Sequence, residues 1–241
     1  MNSITTFDYF RNNKLVYVRI IDLLKQKLEN EILRKYKSLR LYGIKKLNLS
    51  ESALYHQFGT QKYFKFDTIL KIIQDFDIPI EELYSSIISL FAKGSRTSKE
   101  LIMPKELIID EFFVEGYALY LAEGDNGTNG KTIPRKVRLT NSKLYVHKHF
   151  IKWLKTYFPN NKFYLKLTIP YPKTLNEEEI NDILKSLNLE ESQLRVNEYK
   201  WARRTGFIYR TCLDSALLID LLLSIKTKVK ELCLQDKKLA A

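Results

Sequence analysis

The chain has 241 residues, enough for one large domain or two small ones, each with its own core. Forty Lys and Arg against 28 Asp and Glu leave a net charge of +12 and a pI near 9.4, which favours a polyanionic partner, nucleic acid before acidic membrane. A hydrophobic content of 45% excludes a disordered basic tail, and no apolar run reaches the roughly 18 residues of a membrane span.

The polar start Met1–Thr6 does not read as a secretory signal. Cys212 and Cys233 lack any CxxC or Cys-His spacing, so they are expected as buried thiols in a reducing compartment, with no zinc site. The expected location is the cytoplasm, in association with the nucleoid.

Leu15, Val18, Ile21, Leu24, Leu28 and Ile32 recur in steps of three and four, which predicts one amphipathic helix over residues 13–37. Short helical patterns follow from Leu39 to Ile88. Asn48-Leu49-Ser50 reads as a turn, with Ser50 placed to cap a helix Ser50–Phe58 that ends at Gly59. Helices are also expected over Asp67–Phe76 and from Ile78 onward. A short helix, a tight turn, a second short helix with a polar face and packing helices are the parts of a helix-turn-helix.

The segment resembles the repressor-type helix-turn-helix family, with Ser50–Gln57 as recognition helix; a plain helical bundle is the alternative. That resemblance implies Ser50, Ser52, Tyr55, His56 and Gln57 as DNA contacts. An all-α N-terminal domain over residues 1–93 is expected. The polar run Gly94-Ser95-Arg96-Thr97-Ser98-Lys99 marks a linker over residues 94–103, before a second domain over 104–241.

The next helix, expected after Pro104, ends in GYALYLAEGD, residues 116–125. Ala118 and Ala122 stack on one face and let a second helix approach closely. Gly124 suits a left-handed helix cap. Glu123 faces the negative pole of the helix dipole, where a carboxylate costs about 0.3–1 kcal/mol; it is either solvated or opposed by something cationic.

Leu119-Tyr120-Leu121-Ala122-Glu123-Gly124 resembles the core of the LAGLIDADG motif, in the variant ending Ala-Glu-Gly. Ile102-Met103-Pro104-Lys105, Val137-Arg138-Leu139-Thr140-Asn141-Ser142, Lys162–Pro170 and Gly206–Ser215 extend the resemblance over most of residues 101–235. In that family two such helices pack side by side, and the acid before the last Gly holds a divalent metal against DNA. The resemblance implies Glu123 as metal ligand and catalytic residue, Mg²⁺ as cofactor if the protein cuts DNA, and a homodimer over Ala118 and Ala122. Two departures stand out. Leu121 occupies the position of the usual Asp, and the Gly/Asn-rich residues 126–133 lie where a long DNA-reading strand is expected.

Beyond the motif, strands are predicted over Arg135–Thr140 and Phe163–Ile169, with a helix between them ending before Pro159. From Asn126 to Asn176 there is no acidic residue, while Lys131, Arg135, Lys136, Arg138 and Lys166 are among the basic ones. Basic residues on the outer face of a sheet suit phosphate neutralisation; a solvated basic face is the alternative. An acidic-fronted helix Glu177–Leu187 follows. Strands Arg195–Trp201 and Gly206–Leu213 then flank a basic tip with Arg203 and Arg204. Trp201 either packs or stacks on a base. Asp214 or Ser215 caps a last helix, in which Leu217-Leu218-Ile219-Asp220 reads as core. His147 and His149 flank an apolar helix and suit packing or phosphate contact.

The expected fold is thus α+β: an all-α helix-turn-helix domain followed by a two-layer α/β domain. The expected function is sequence-specific binding of double-stranded DNA by a regulator derived from a homing endonuclease. An active Mg²⁺-dependent endonuclease cleaving as a homodimer is the alternative, and a peripheral membrane or RNA-binding protein comes last.

Overall fold

The structure is a computed structural model, and it describes residues 2–11, 16–50, 52–59, 63–92, 100–124, 136–170, 173–199, 206–226 and 229. The fold is mixed α+β, and the chain divides into two compact units: Thr5–Glu106, and Met1–Ile4 with Leu107–Ala241. The linker run 94–99 lies outside the described residues.

The first unit is not all-helical. It contains α1 (Thr6–Phe10), β2 (Val16–Ile20), α2 (Asp22–Tyr36), α3 (Leu39–Leu47), α4 (Ala53–Phe58), β3 (Phe64–Lys65), α5 (Phe66–Asp75), α6 (Ile80–Ser86) and β4 (Ile87–Ala92). An antiparallel sheet in the order β3-β2-β4 replaces the front of the expected helix 13–37. The reason is local. Val16, Val18 and Ile20 alternate with Tyr17 and Arg19, so a period of two buries three β-branched side chains on one face. The helical period begins only with Leu24, Leu28 and Ile32, all buried on α2. Lys37 ends that helix in the left-handed conformation at φ 62, its N–H bonded to Leu33 O. Ser38 caps α3 through the Leu41 N–H, and Tyr42 ties α3 to Asp75 by a 2.8 Å hydrogen bond.

The second unit opens with β1 (Asn2–Thr5) and β5 (Glu106–Ile109), which form a two-stranded sheet. Glu106–Ile109 alternates exposed and buried, so the motif helix starts only after it, at Glu111 rather than directly after Pro104. There follow α7 (Glu111–Glu123), β6 (Val137–Asn141), α8 (Leu144–Tyr157), β7 (Phe163–Pro170), α9 (Glu177–Leu187), a short 3₁₀ turn, β8 (Leu194–Tyr199), β9 (Ile208–Leu213) and α10 (Ala216–Ser224). The sheet order is β6-β9-β7-β8; β7 and β8 run parallel, while the other pairs are antiparallel. Asn176 and Glu179 close a reciprocal capping box on α9, and Ser215 caps α10 through the Leu218 N–H.

Inward residues Val137, Leu139, Leu165, Leu167, Ile169, Tyr209 and Leu213 form the sheet side of the core. On α7 the buried positions are Phe113, Gly116, Tyr117 and Tyr120, each three or four residues from two of the others. Trp153 of α8 lies against this stripe and donates to Phe113 O at 3.0 Å. A Cβ on Gly116 would sit 2.2 Å from Trp153 Cδ1. The small residue that brings α7 and α8 together is therefore Gly116. Ala118 and Ala122 lie on the opposite, exposed face of α7.

Candidate nucleic-acid interface

The outer face of the four-stranded sheet follows from its register. Arg138 is level with Cys212, and Thr140 with Arg210, across β6 and β9. Lys166 is level with Arg210 across β9 and β7, and with Arg195 across β7 and β8. Residues opposite one another in a sheet share a face. One row therefore reads Thr140–Arg210–Lys166–Arg195, with three cations on three adjacent strands. Arg138 adds a fourth, two residues along β6.

Local hydrogen bonds hold these side chains out from the sheet. Arg210 Nε donates to Thr140 Oγ1 at 3.0 Å. Lys166 Nζ donates to the Asn197 side-chain oxygen at 2.9 Å, with the amide oriented so that its nitrogen reaches Val196 O. The Arg195 guanidinium lies 3.7 Å from the centroid of the Tyr164 ring, a stacked cation–π contact. Three like charges side by side on an antiparallel and parallel ladder repel one another, and a polyanion laid across the row relieves that repulsion.

Lys136, expected to meet DNA, is already paired within the fold. Its ammonium forms a 2.9 Å ion pair with Asp214 and donates to Tyr164 Oη at 3.3 Å. The hydrogen bond to Asp214 raises its pKa. The sequence between 126 and 176 is free of acid, yet β9 ends in an acid that reaches back to it. Lys136 is thus largely neutralised within the fold, whereas Arg195 and Arg210, not singled out in the sequence, stand in the row.

At the edge of this face, Glu123, Gly124, Arg138, Thr140 and Arg210 line an open depression of ≈ 260 Å³. Gly124 does not adopt the left-handed conformation; its φ of −85° and ψ of 162° are extended. It pairs instead with Leu139 as an antiparallel bridge. What demands glycine is space, because a Cβ there would lie 2.3 Å from Tyr120 O and 2.5 Å from its ring. Leu139 points into the core, so its neighbours Arg138 and Thr140 point outward, on the side where Glu123 stands exposed. Arg138 and Arg210, lining the same depression, are the cations nearest in kind to what Glu123 anticipates; Glu123 itself is solvent-exposed.

That donor set does not suit Mg²⁺ within one chain. A hard divalent cation gathers several oxygen ligands, whereas this depression is lined by one carboxylate and two guanidinium groups. The Thr140 hydroxyl already accepts from Arg210. Among the described residues no group of three or more His, Cys, Asp and Glu comes together.

His147 lies beneath the sheet, not on it. It is fully buried, 2.8 Å from Thr211 Oγ1 and 3.2 Å from Asn141 O. Burial lowers its pKa to about 4. Since the folded value lies below the unfolded one of about 6.5, the unfolded chain alone takes up this proton between pH 6.5 and 4. Stability is therefore whole above pH 6.5 and falls as pH drops to 4, by about 3 kcal/mol in order of magnitude. Melting curves across that range are expected to show a shallower slope for His147→Gln than for the unmodified protein. His149 is half-buried, 3.9 Å from Glu115 and edge-on to Phe112.

In the first unit, α4 is shorter than the expected recognition helix and starts at Ala53, after Ser52; Ser50 precedes it and is exposed. Ser52, Tyr55 and His56 are exposed, and the Arg40 guanidinium lies 5.3 Å from the Tyr55 ring centroid. Gln57 departs from expectation. It is only 6% exposed, with no hydrogen-bond partner for Oε1, because it follows Leu54 by three and falls on the inward stripe with Phe58. Gly43 permits the close approach of α3 to α4, since a Cβ there would meet Leu54 Cβ at 3.2 Å.

Lys131, Arg135, Trp201, Arg203, Arg204 and Cys233 lie outside the described residues; Cys212 is a buried free thiol. No helix among the described residues is long and apolar enough to cross a membrane. No family model, curated protein or solved structure matches the chain.

Proposed function

We propose that the protein is a regulatory, sequence-specific binder of double-stranded DNA. The observation that carries this reading is the cross-strand row Arg210–Lys166–Arg195, with Arg138 beside it, on the outer face of a sheet in a chain of net charge +12. Such a row neutralises successive backbone phosphates and supplies affinity without reading sequence. Sequence preference comes from the polar face of α4, where Ser52, Tyr55 and His56 are exposed as base-reading side chains must be. The place of action is the nucleoid.

The protein acts as a homodimer over the Ala118 and Ala122 face of α7. The resemblance of this helix to the LAGLIDADG motif and the exposure of both alanines support that reading. Two-fold symmetry would then present two basic sheets to two half-sites. Sedimentation velocity of the protein mixed with a duplex oligonucleotide tests both parts. The expected species is two chains with one duplex, and Ala122→Leu yields single chains. Free duplex sedimenting beside unbound protein at low salt would refute the DNA reading, and a one-chain complex would refute the dimer.

A further inference from the structure

We infer that the depression between Arg138, Thr140 and Arg210 is a binding site for a phosphodiester group, opposed by the charge of Glu123 on its rim. The inference rests on the DNA reading above and adds to it a specific site and its regulation. Three features combine here. The Gly124–Leu139 bridge delivers the end of α7 to the outer face of β6. Gly124, which cannot carry a Cβ against Tyr120, lets the chain turn there at all. Thr140 accepts from Arg210 Nε and so fixes the plane of that guanidinium.

Planar guanidinium groups match tetrahedral oxyanions, and two of them facing one depression favour a phosphate over a cation. With Glu123 the lining carries charges of +2 and −1, so a phosphate of charge −1 that the two arginines attract is repelled by the carboxylate. The carboxylate therefore weakens phosphate binding, while Thr140 holds Arg210 in place. This assigns Glu123 a role opposite to that of a metal ligand. A metal ligand would draw phosphate in through a shared cation, whereas an internal anion pushes phosphate away.

The test compares the unmodified protein with Glu123→Gln in two assays. Duplex binding is followed by fluorescence anisotropy at fixed salt, with and without Mg²⁺. Thermal unfolding is followed across a sulfate titration, with inorganic phosphate as a second anion. Glu123→Gln is expected to tighten duplex binding about two- to fivefold, the size of an exposed ion pair, and Mg²⁺ is expected to weaken both proteins equally. Sulfate is expected to raise the melting temperature of Glu123→Gln more than that of the unmodified protein, and Arg210→Ala added to Glu123→Gln should abolish the difference. Weaker duplex binding by Glu123→Gln, or tightening by Mg²⁺ of the unmodified protein alone, would overturn the inference, as would equal stabilisation of both by sulfate. Failure of both proteins to bind duplex DNA, with the sulfate difference intact, would instead sink the DNA reading and leave the anion site standing.

Discussion

Lys166→Glu is expected to weaken duplex DNA binding at least about tenfold, and by the same factor for every sequence, because setting like charges against one another in an interface costs more than about 1.4 kcal/mol. Lys166 is the position to test because it is central to the row, level with Arg210 on one side and Arg195 on the other. Its side chain is half-buried on a strand whose inward residues Leu165 and Leu167 are untouched by the change, so the fold should tolerate it. Lys136→Glu is expected to behave differently. Lys136 is paired with Asp214 at 2.9 Å, so reversal leaves a mostly buried carboxylate facing another, and stability suffers more than DNA affinity does. Binding isotherms and urea midpoints for the two variants separate the roles. Equal loss of affinity with unchanged stability in both would show that the two lysines share one function.

The second large effect is structural. Gly116→Ala is expected to destabilise the second unit by about 1–3 kcal/mol, the usual cost of overpacking a filled core. The added carbon would fall 2.2 Å from Trp153 Cδ1, and Trp153 cannot readily move. Its Nε1 is bonded to Phe113 O, and Phe150, Phe113 and Phe158 surround it at centroid distances of 5.4, 5.5 and 5.3 Å. Gly206→Ala serves as control, since nothing lies within 4 Å of its Cβ, and a shift within about 0.5 kcal/mol is expected there. A denaturant midpoint for Gly116→Ala equal to that of the control would refute the packing account of α7 against α8.

These results also show which features could be read in the residues alone. The alternation Phe163, Leu165, Leu167, Ile169 specifies β7 without ambiguity, and the α8 stripe Phe150, Trp153, Leu154, Tyr157 is equally plain. The cap of α10 could be narrowed to Asp214 or Ser215, the two polar residues before its apolar run, and Ser215 is the one that caps. The strand β2 was hidden for a physical reason: Val18, Leu24 and their neighbours satisfy steps of three and four by coincidence, so a period of two ran unnoticed into a period of 3.6. Gln57 was assigned to the surface by its polarity, although its spacing from Leu54 places it inward.

The row of cations was only half legible. Lys166 and Arg138 sit at alternating positions in strands that the sequence announces. Arg195 and Arg210 join them through a parallel pairing of β7 with β8 and the central position of β9. Those are contacts between residues roughly thirty to seventy apart in the chain, which local periodicity does not encode. The pairing of Lys136 with Asp214 was invisible for the same reason. Glycine was correctly singled out at position 124, but what requires it is close approach to Tyr120, not a left-handed turn.

The central claim is that the outer sheet face binds DNA through backbone phosphates, and the salt dependence of duplex binding tests it most directly. Each phosphate neutralised contributes a slope of about −0.9 to log K against log salt. Four cations on the face, Arg138, Lys166, Arg195 and Arg210, predict a slope of about −3 to −4 per chain of the unmodified protein, and about twice that for the dimer on one duplex. Replacing Lys166 and Arg195 by Ala is expected to make it shallower by about two per chain. A slope that the two replacements leave unchanged, or no duplex binding at low salt, would contradict the account.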